Sequence, residues 1–327
     1  MTIAARLLTL ALLIAPAATP VFATDDANYP ARQIRIVVGF AAGGAPDTLA
    51  RIIGDHLAAS WRQPVVVENR TGANGNIAMT AVAKAPPDGY TLALVPTGNA
   101  AVNPSLFADL PYSLAQFAPI TLIANVENVL VISGKSPVKS LQELIALGRS
   151  KSANLTYATP GAGSIAHLAA ELFARNAGIE LRHISYRGVT PALTDVLRGE
   201  VTVMFSQLST AKPFIDRGDL RALGIASKTR SAALPDVPTI ADAGGMPGFE
   251  AVSWYSLMAP AGTPESIIAK LRDGVVQAIN AAAVKAALEA QGATPVGGTP
   301  AELAAVIGVD TARWAKVIQD ANIKIAP

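Results

Sequence analysis

The stretch Ile34-Arg35-Ile36-Val37-Val38-Gly39-Phe40-Ala41-Ala42-Gly43-Gly44-Ala45-Pro46-Asp47 decides the fold. Its first five residues are apolar but for Arg35, the pattern of a parallel strand covered on both faces. A glycine-rich loop follows, and Pro46 sits near the first turn of a helix. Leu49, Ile52, Ile53 and Leu57 give that helix one apolar face. The design recurs further along the chain. Leu155-Thr156-Tyr157 is a strand, Ala158-Thr159-Pro160-Gly161-Ala162-Gly163-Ser164 is a loop, and Ile165, Leu168, Ala169, Leu172 and Phe173 form a helical apolar stripe.

On either side of these units, short strands are expected at 65–67, 91–95, 184–186, 201–205, 220–226 and within 249–258. Residues 120–132 hold apolar runs broken by Asn125, Glu127 and Asn128, expected as one strand leaving a first domain and another entering a second. The division is 24–124 with 251–327 as a discontinuous first domain, and 125–250 as the second. Ser140 with Glu143 is a capping box. Thr190-Pro191 opens a helix that Gly199 closes. Residues 235–248, with three Pro and three Gly, are expected as an irregular excursion. Three helices finish the chain, one started by Thr263-Pro264 and the last by Thr299-Pro300 with Glu302. Alternating strands and helices predict an α/β fold of parallel sheets with right-handed crossovers. Two such sheets joined by two crossing segments enclose a cleft, with ligand at the carboxyl ends of the strands.

Composition narrows the function. The chain has 327 residues, 51% of them apolar and 15% charged, with a net charge of +2. No basic face is concentrated enough for nucleic acid. Arg6, the apolar residues 7–15, the breakers Pro16 and Pro20, and Val21-Phe22-Ala23 read as a secretory signal with cleavage after Ala23. The apolar segment is too short to span a bilayer. The sequence has no cysteine. Neither disulfides nor a lipidated N-terminal cysteine is therefore expected, and the mature chain is expected to be a soluble periplasmic monomer.

The two loops are the best candidates for chemistry. Glycine lets backbone N–H groups approach a ligand closely. The helix that follows adds free donors and partial positive charge, so each loop is a candidate anion seat. Ser164 is a candidate N-cap or ligand hydrogen bond. Asp47 lies in the first turn of its helix, where it either answers the helix dipole or accepts from a ligand ammonium or bridging water. Arg187, in Tyr186-Arg187-Gly188, is a candidate second anion handle.

Catalytic patterns are weak. His56, His167 and His183 have no metal-ligand spacing, and the pairing of His167 with Glu171 on one helix face is expected to be a solvated face. Ser164 is not in a nucleophile elbow. Gly161, Gly163 and Ala166 match a dinucleotide fingerprint, with Glu180 about 20 residues on, so a nicotinamide-dependent oxidoreductase is the rival from another class. No enzymatic activity, cofactor or metal is expected.

With these residues in view, the chain resembles the Bug family, the receptors of tripartite tricarboxylate transporters. The stretches that carry the resemblance are IRIVVGFAAGGAPDTLAR (34–51), QPVVVENRTGANGNIA (63–78), PPDGYTL (86–92), LTYATPGAGSIAHLAAELF (155–173), ISYRGVTPALTDVLRGEVTVMF (184–205), SAALPDVPTIADAG (231–244) and SWYSLMAPAGTP (253–264). The resemblance implies a type II periplasmic-binding-protein fold that closes on a small organic acid. It implies a carboxylate held by the loop from Phe40 through Ala42, Gly43 and Gly44 with Asp47, and by the loop Ala158, Thr159, Gly161, Ala162, Gly163 and Ser164, with Thr97 at the border of the cleft. It implies delivery to membrane transporter subunits, or presentation to a sensor kinase. The family often has Pro where this chain has Ala42, and Asp where it has Thr202 and Ser206. Ser206 ends a strand that faces the family's cleft, so loss of a carboxylate there favours a more anionic or more apolar ligand.

Overall fold

The computed structural model describes residues 28–150, 154–186 and 188–323. The expected signal segment and Arg187 lie outside the described residues. The first sheet contains six strands: β1 (Ile34–Val38), β2 (Val65–Asn69), β3 (Thr91–Pro96), β4 (Phe117–Val126), β10 (Ser253–Pro260) and β11 (Ala293–Gly297), in the order β11-β4-β10-β3-β1-β2. The second contains β5 (Asn128–Ser133), β6 (Thr156–Thr159), β7 (Arg182–Ser185), β8 (Val203–Gln207) and β9 (Leu220–Ile225), in the order β7-β6-β8-β5-β9. The helices joining the first sheet are α1 (Ala45–Trp61), α2 (Asn76–Ala83) and α3 (Asn103–Leu106). Those of the second are α4 (Leu141–Arg149), α5 (Ile165–Ala177), α6 (Val189–Arg198), α7 (Leu208–Asp216) and α8 (Ile240–Gly244). The chain ends with α9 (Glu265–Asn280), α10 (Ala282–Ala290) and α11 (Pro300–Asp320).

The two sheets share a plan. β1 lies between β2 and β3, parallel to both, and β6 lies between β7 and β8, parallel to both. In each trio the chain leaves the middle strand for one side and later crosses to the other. The carboxyl end of the middle strand is therefore a topological switch point, where open α/β sheets bind ligands. The chain passes between sheets at Glu127, from β4 to β5, and returns between β9 and β10. Asn128 ties the two passages, its Nδ2 donating to Ala251 O at 2.6 Å and to Ser253 Oγ at 3.1 Å.

Alternation along β1 sets the packing. Ile34, Ile36 and Val38 pack in one cluster with Leu49, Ile53 and Leu57 of α1 and with Leu271 and Val275 of α9. Val37 joins another cluster with Met79 and Val82 of α2. Each buried aliphatic side chain contributes about 1.5–3 kcal/mol. Against the second sheet, Phe205 of β8 meets Phe173 of α5 and Phe249, with ring centroids 6.1–6.5 Å apart.

Four expectations need correction. The sheets are mixed, because β10 runs antiparallel to β3 and β4, β11 to β4, and β5 to β8 and β9. Every residue of β10 is buried. A strand covered on both faces is largely apolar whichever way it runs, so patterning does not report direction. The last three helices are interrupted by β11. The stretch 235–248 contains the short helix α8, capped by Thr239, whose side chain accepts from Asp242 N. Only half of the capping box at α4 forms. Ser140 accepts from Glu143 N, but the Glu143 carboxylate takes Lys139 N instead.

Candidate functional site

A cavity of about 670 Å³ lies between the two sheets. The carboxyl ends of β1, β3, β6 and β8 supply Phe40, Pro96, Pro160, Ser206 and Gln207 to its wall. The amino ends of β5 and β10 supply Asn128, Ser253 and Tyr255. First turns of four helices border it, with Ala45 and Pro46 from α1, Ile165 and Ala166 from α5, Val189 from α6, and Ser209 and Thr210 from α7. Among the described residues the wall carries no Lys, Arg, His, Asp or Glu. Its polarity comes from backbone amides, hydroxyls and side-chain amides.

The helix starts leave specific donors. In α5, His167 N donates to Ser164 Oγ at 3.3 Å and Leu168 N to Ser164 O at 3.0 Å. The amides of Ile165 and Ala166 then have no intrahelical acceptor, and both residues line the cavity. In α1, Thr48 N takes Gly44 O at 2.9 Å and Pro46 has no N–H, which leaves the amide of Ala45 on the wall. Partial positive charge collects at these ends and favours an anion.

Three of the candidate glycine amides are already engaged. Gly43 N donates to Asp47 Oδ2 at 2.9 Å, Gly44 N to Ala41 O at 3.3 Å, and Gly163 N to His167 Nδ1 at 3.0 Å. The free donors at Ala45, Ile165 and Ala166 sit one to three residues after these glycines. Gly43 and Gly163 supply the left-handed turns, with φ of 81° and 76°, that let the chain enter each helix.

Asp47 lies behind the first loop. It is 2% exposed and accepts from Gly43 N, Arg51 Nε and Nη2, and Asn69 Nδ2, all at 2.9–3.0 Å. Asn69 Nδ2 also reaches Phe40 O at 3.0 Å. The Arg51 guanidinium, with help from the Gly43 and Asn69 hydrogen bonds, lowers the Asp47 carboxyl to about 2. Asp47 therefore clamps the loop, with no oxygen left for a ligand ammonium.

The remaining candidates divide plainly. Phe40, Gly43, Gly44, Gly163, Ser164 and Ser206 are on the wall. Ala42 and Ala162 are exposed and, like Gly161, off the wall. Ala158 and Thr159 are buried in β6 beneath the loop. Thr97 is buried between β3 and β10, where its Oγ1 accepts from Trp254 N at 2.7 Å and donates to Trp254 O at 3.1 Å. Its neighbours Pro96 and Gly98 reach the cavity instead. His167 and Glu171 are not on a solvated face. His167 is buried against His183, and Glu171 accepts from Tyr157 OH. Glu180 precedes β7, at the strand end away from the cavity, so it is not placed as the ribose-binding acid of a dinucleotide site.

Several wall residues carry no signal that the expectations above used. Asn74 is held at φ 53° in a third loop, its carbonyl accepting from Asn99 Nδ2 at 3.0 Å and its side chain donating to Asn103 Oδ1 at 3.1 Å. The Asn74-Gly75 pair is a turn signal that marks such a loop. Gln207 Nε2 donates to Tyr255 OH at 3.1 Å, a bond from one sheet to the other. No local pattern reveals that pair, because it forms only when the two sheets face each other.

Residues 49–323 match the family model described as the tripartite tricarboxylate transporter family receptor. The chain is 39% identical over 300 residues to the protein BugT of Bordetella pertussis, covering 91% of this chain and 92% of that one. It is 40% identical over 291 residues to a protein encoded in the tcbD-tcbE intergenic region of Pseudomonas sp. strain P51, covering 89% and 86%. Among solved structures, R. palustris Rpa4515 with adipate superposes with a TM-score of 0.81 at 36% identity, covering 90% of this chain and 99% of that one. MatC from Rhodopseudomonas palustris with bound malate gives 0.77 at 35%, covering 89% and 100%. The periplasmic binding protein BugD gives 0.78 at 31%, covering 90% and 99%. The two-sheet fold is that of these periplasmic binding proteins, and the chain belongs to the tripartite tricarboxylate transporter receptor family.

Proposed function

We propose that the protein captures a small organic acid in the periplasm, holds it between its two sheets and delivers it to the membrane subunits of a tripartite transporter. The observation that carries this is the cavity's electrostatic design. Helix starts from both sheets converge on it, and its described wall has no charged side chain to compete for the ligand or neutralise it. Adipate and malate bound to relatives of the same fold support a carboxylate of that size. The ligand carboxylate sits on the amides of Ala45, Ile165 and Ala166, with Ser164, Ser206 and Asn74 as polar neighbours. The rest of the ligand lies along Met204, Phe205 and Tyr255. Closure is hinge bending at the two passages that Asn128 ties, with bound acid stabilising the closed form.

A thermal-shift panel of mono-, di- and tricarboxylates tests the reading. An acid present at about 100 times its dissociation constant adds ~2.7 kcal/mol. A panel in which no carboxylate raises the melting temperature contradicts it. Uptake of the identified acid by cells with and without the gene then separates delivery to a transporter from presentation to a signalling partner.

A further inference from the structure

Behind the second loop, on the side away from the cavity, three rings are stacked. His167 of α5 lies 4.1 Å from His183 of β7, and His183 lies 4.8 Å from Tyr157 of β6, with interplanar angles of 16° and 15°. His167 is only 6% exposed. Each imidazole holds one end of the loop turn. Gly163 N donates to His167 Nδ1 at 3.0 Å. His183 Nε2 is 2.7 Å from Thr159 Oγ1, and that hydroxyl donates to Gly161 O at 3.2 Å. Thr159 has one hydroxyl proton, so spending it on Gly161 makes His183 the donor through Nε2–H. His167 is fixed the other way, with Nδ1 bare to accept and its proton on Nε2.

We infer that His167 and His183 are positioning residues for ligand binding, a neutral stacked pair that clamps Gly161 and Gly163 so that the amides of Ile165 and Ala166 face the cavity. The clamp works only while His167 is neutral. A proton on Nδ1 would set donor against donor at Gly163 and place a charge 4.1 Å from a second imidazole. Burial, and secondarily His183, hold His167 down to about 4, which keeps the clamp intact at neutral pH. The titratable groups facing His167 are His183 from β7, Tyr157 from β6 and Glu171 from α5, whose Oε1 is 4.0 Å from His167 Nε2 and accepts from Tyr157 OH at 2.5 Å. From α11, Asp320 pairs with Arg175 two turns further along α5.

The inference rests on the carboxylate-receptor reading for its consequence, but its geometry is testable without ligand. Long-range proton–nitrogen spectra of the free protein at pH 7 should show His167 protonated on Nε2 alone. Hydrogen exchange should show a protected Gly163 amide. In His167→Leu the Gly163 amide should exchange at least roughly tenfold faster. In His167→Asn, whose side-chain oxygen can still accept, protection should be largely restored. A proton on His167 Nδ1, or equal Gly163 exchange in wild type and His167→Leu, overturns the clamp. Calorimetry with the tightest-binding acid of a panel that includes adipate and malate then reads the consequence. Affinity should fall at least roughly tenfold in His167→Leu and recover in His167→Asn. Binding by His167→Asn should also follow acidification less steeply than wild type. Equal affinity in wild type and His167→Leu overturns the positioning role. If no acid binds wild type, the receptor reading fails, while the exchange result still decides whether the clamp exists.

Discussion

Replacing Asp47 with Asn removes a charge from a site built around it while keeping nearly the same shape. The Asp47 carboxylate is buried and accepts four hydrogen bonds, from Gly43, Asn69 and the two nitrogens of Arg51. Its partners hold it at about 2, below the ordinary 3.8. That difference corresponds to roughly 2 kcal/mol of folding stability. Because the folded-state value is the lower one, the stabilisation is complete well above pH 3.8 and is lost as pH falls through 2. Arg51 is half-exposed and returns to water in the variant, so no buried cation is stranded. Guanidinium unfolding at pH 7 should show Asp47→Asn less stable by about 2 kcal/mol, with a melting temperature about 4 °C lower for a chain of this length. By pH 3 the gap should shrink to roughly half. A gap under about 0.5 kcal/mol at pH 7, or one that does not change with pH, would mean that no ionised carboxylate holds the loop.

Three further outcomes are expected. Gly44→Val puts a side chain on the cavity wall at a helix N-cap, where its Cβ would lie 3.4 Å from Ala41 O. Calorimetry should show ligand affinity at least roughly tenfold lower, with stability reduced by no more than about 1 kcal/mol. Asn128→Ala unties the two inter-sheet passages, and urea unfolding should show a loss of about 1–3 kcal/mol because Ala251 O and Ser253 Oγ each lose a buried donor. The third concerns acid. His167 is held at about 4 against an ordinary 6.5, so the unfolded chain takes up a proton that the folded one refuses. This contribution is complete above pH 6.5 and declines toward pH 4 by up to about 1.4 kcal/mol per unit, a slope that His167→Asn should flatten.

Much of this architecture is legible in the residues alone. The strand–glycine loop–helix units at 34–51 and 155–173 mark the middle strands of both sheets, because apolar runs, glycines and helix starts are local signals. Strand direction is not local. β10 is buried along its whole length and its residues would suit a parallel strand equally well, so its antiparallel insertion between β3 and β4 shows only in three dimensions. The site divides in the same way. Phe40, Gly43, Gly44, Gly163 and Ser164 reach the wall because they adjoin the switch points. Asp47 and His167 have the same helical position after their loops, and each accepts from a glycine four residues earlier. The sequence shows their spacing but not that the side chains fold back to take the glycine amides. Asn128, Gln207 and Tyr255 matter because the sheets face each other, which no single segment encodes.

In the function proposed above, an anion is recognised by neutral donors at converging helix starts. Calorimetry at pH 7 compares one acid, the tightest binder of the panel, with its primary amide. The acid should bind, and the amide, alike in shape but uncharged, should bind at least roughly tenfold more weakly. Equal affinity for acid and amide would overturn this reading, because helix amides and partial positive charge favour the anion over its uncharged analogue.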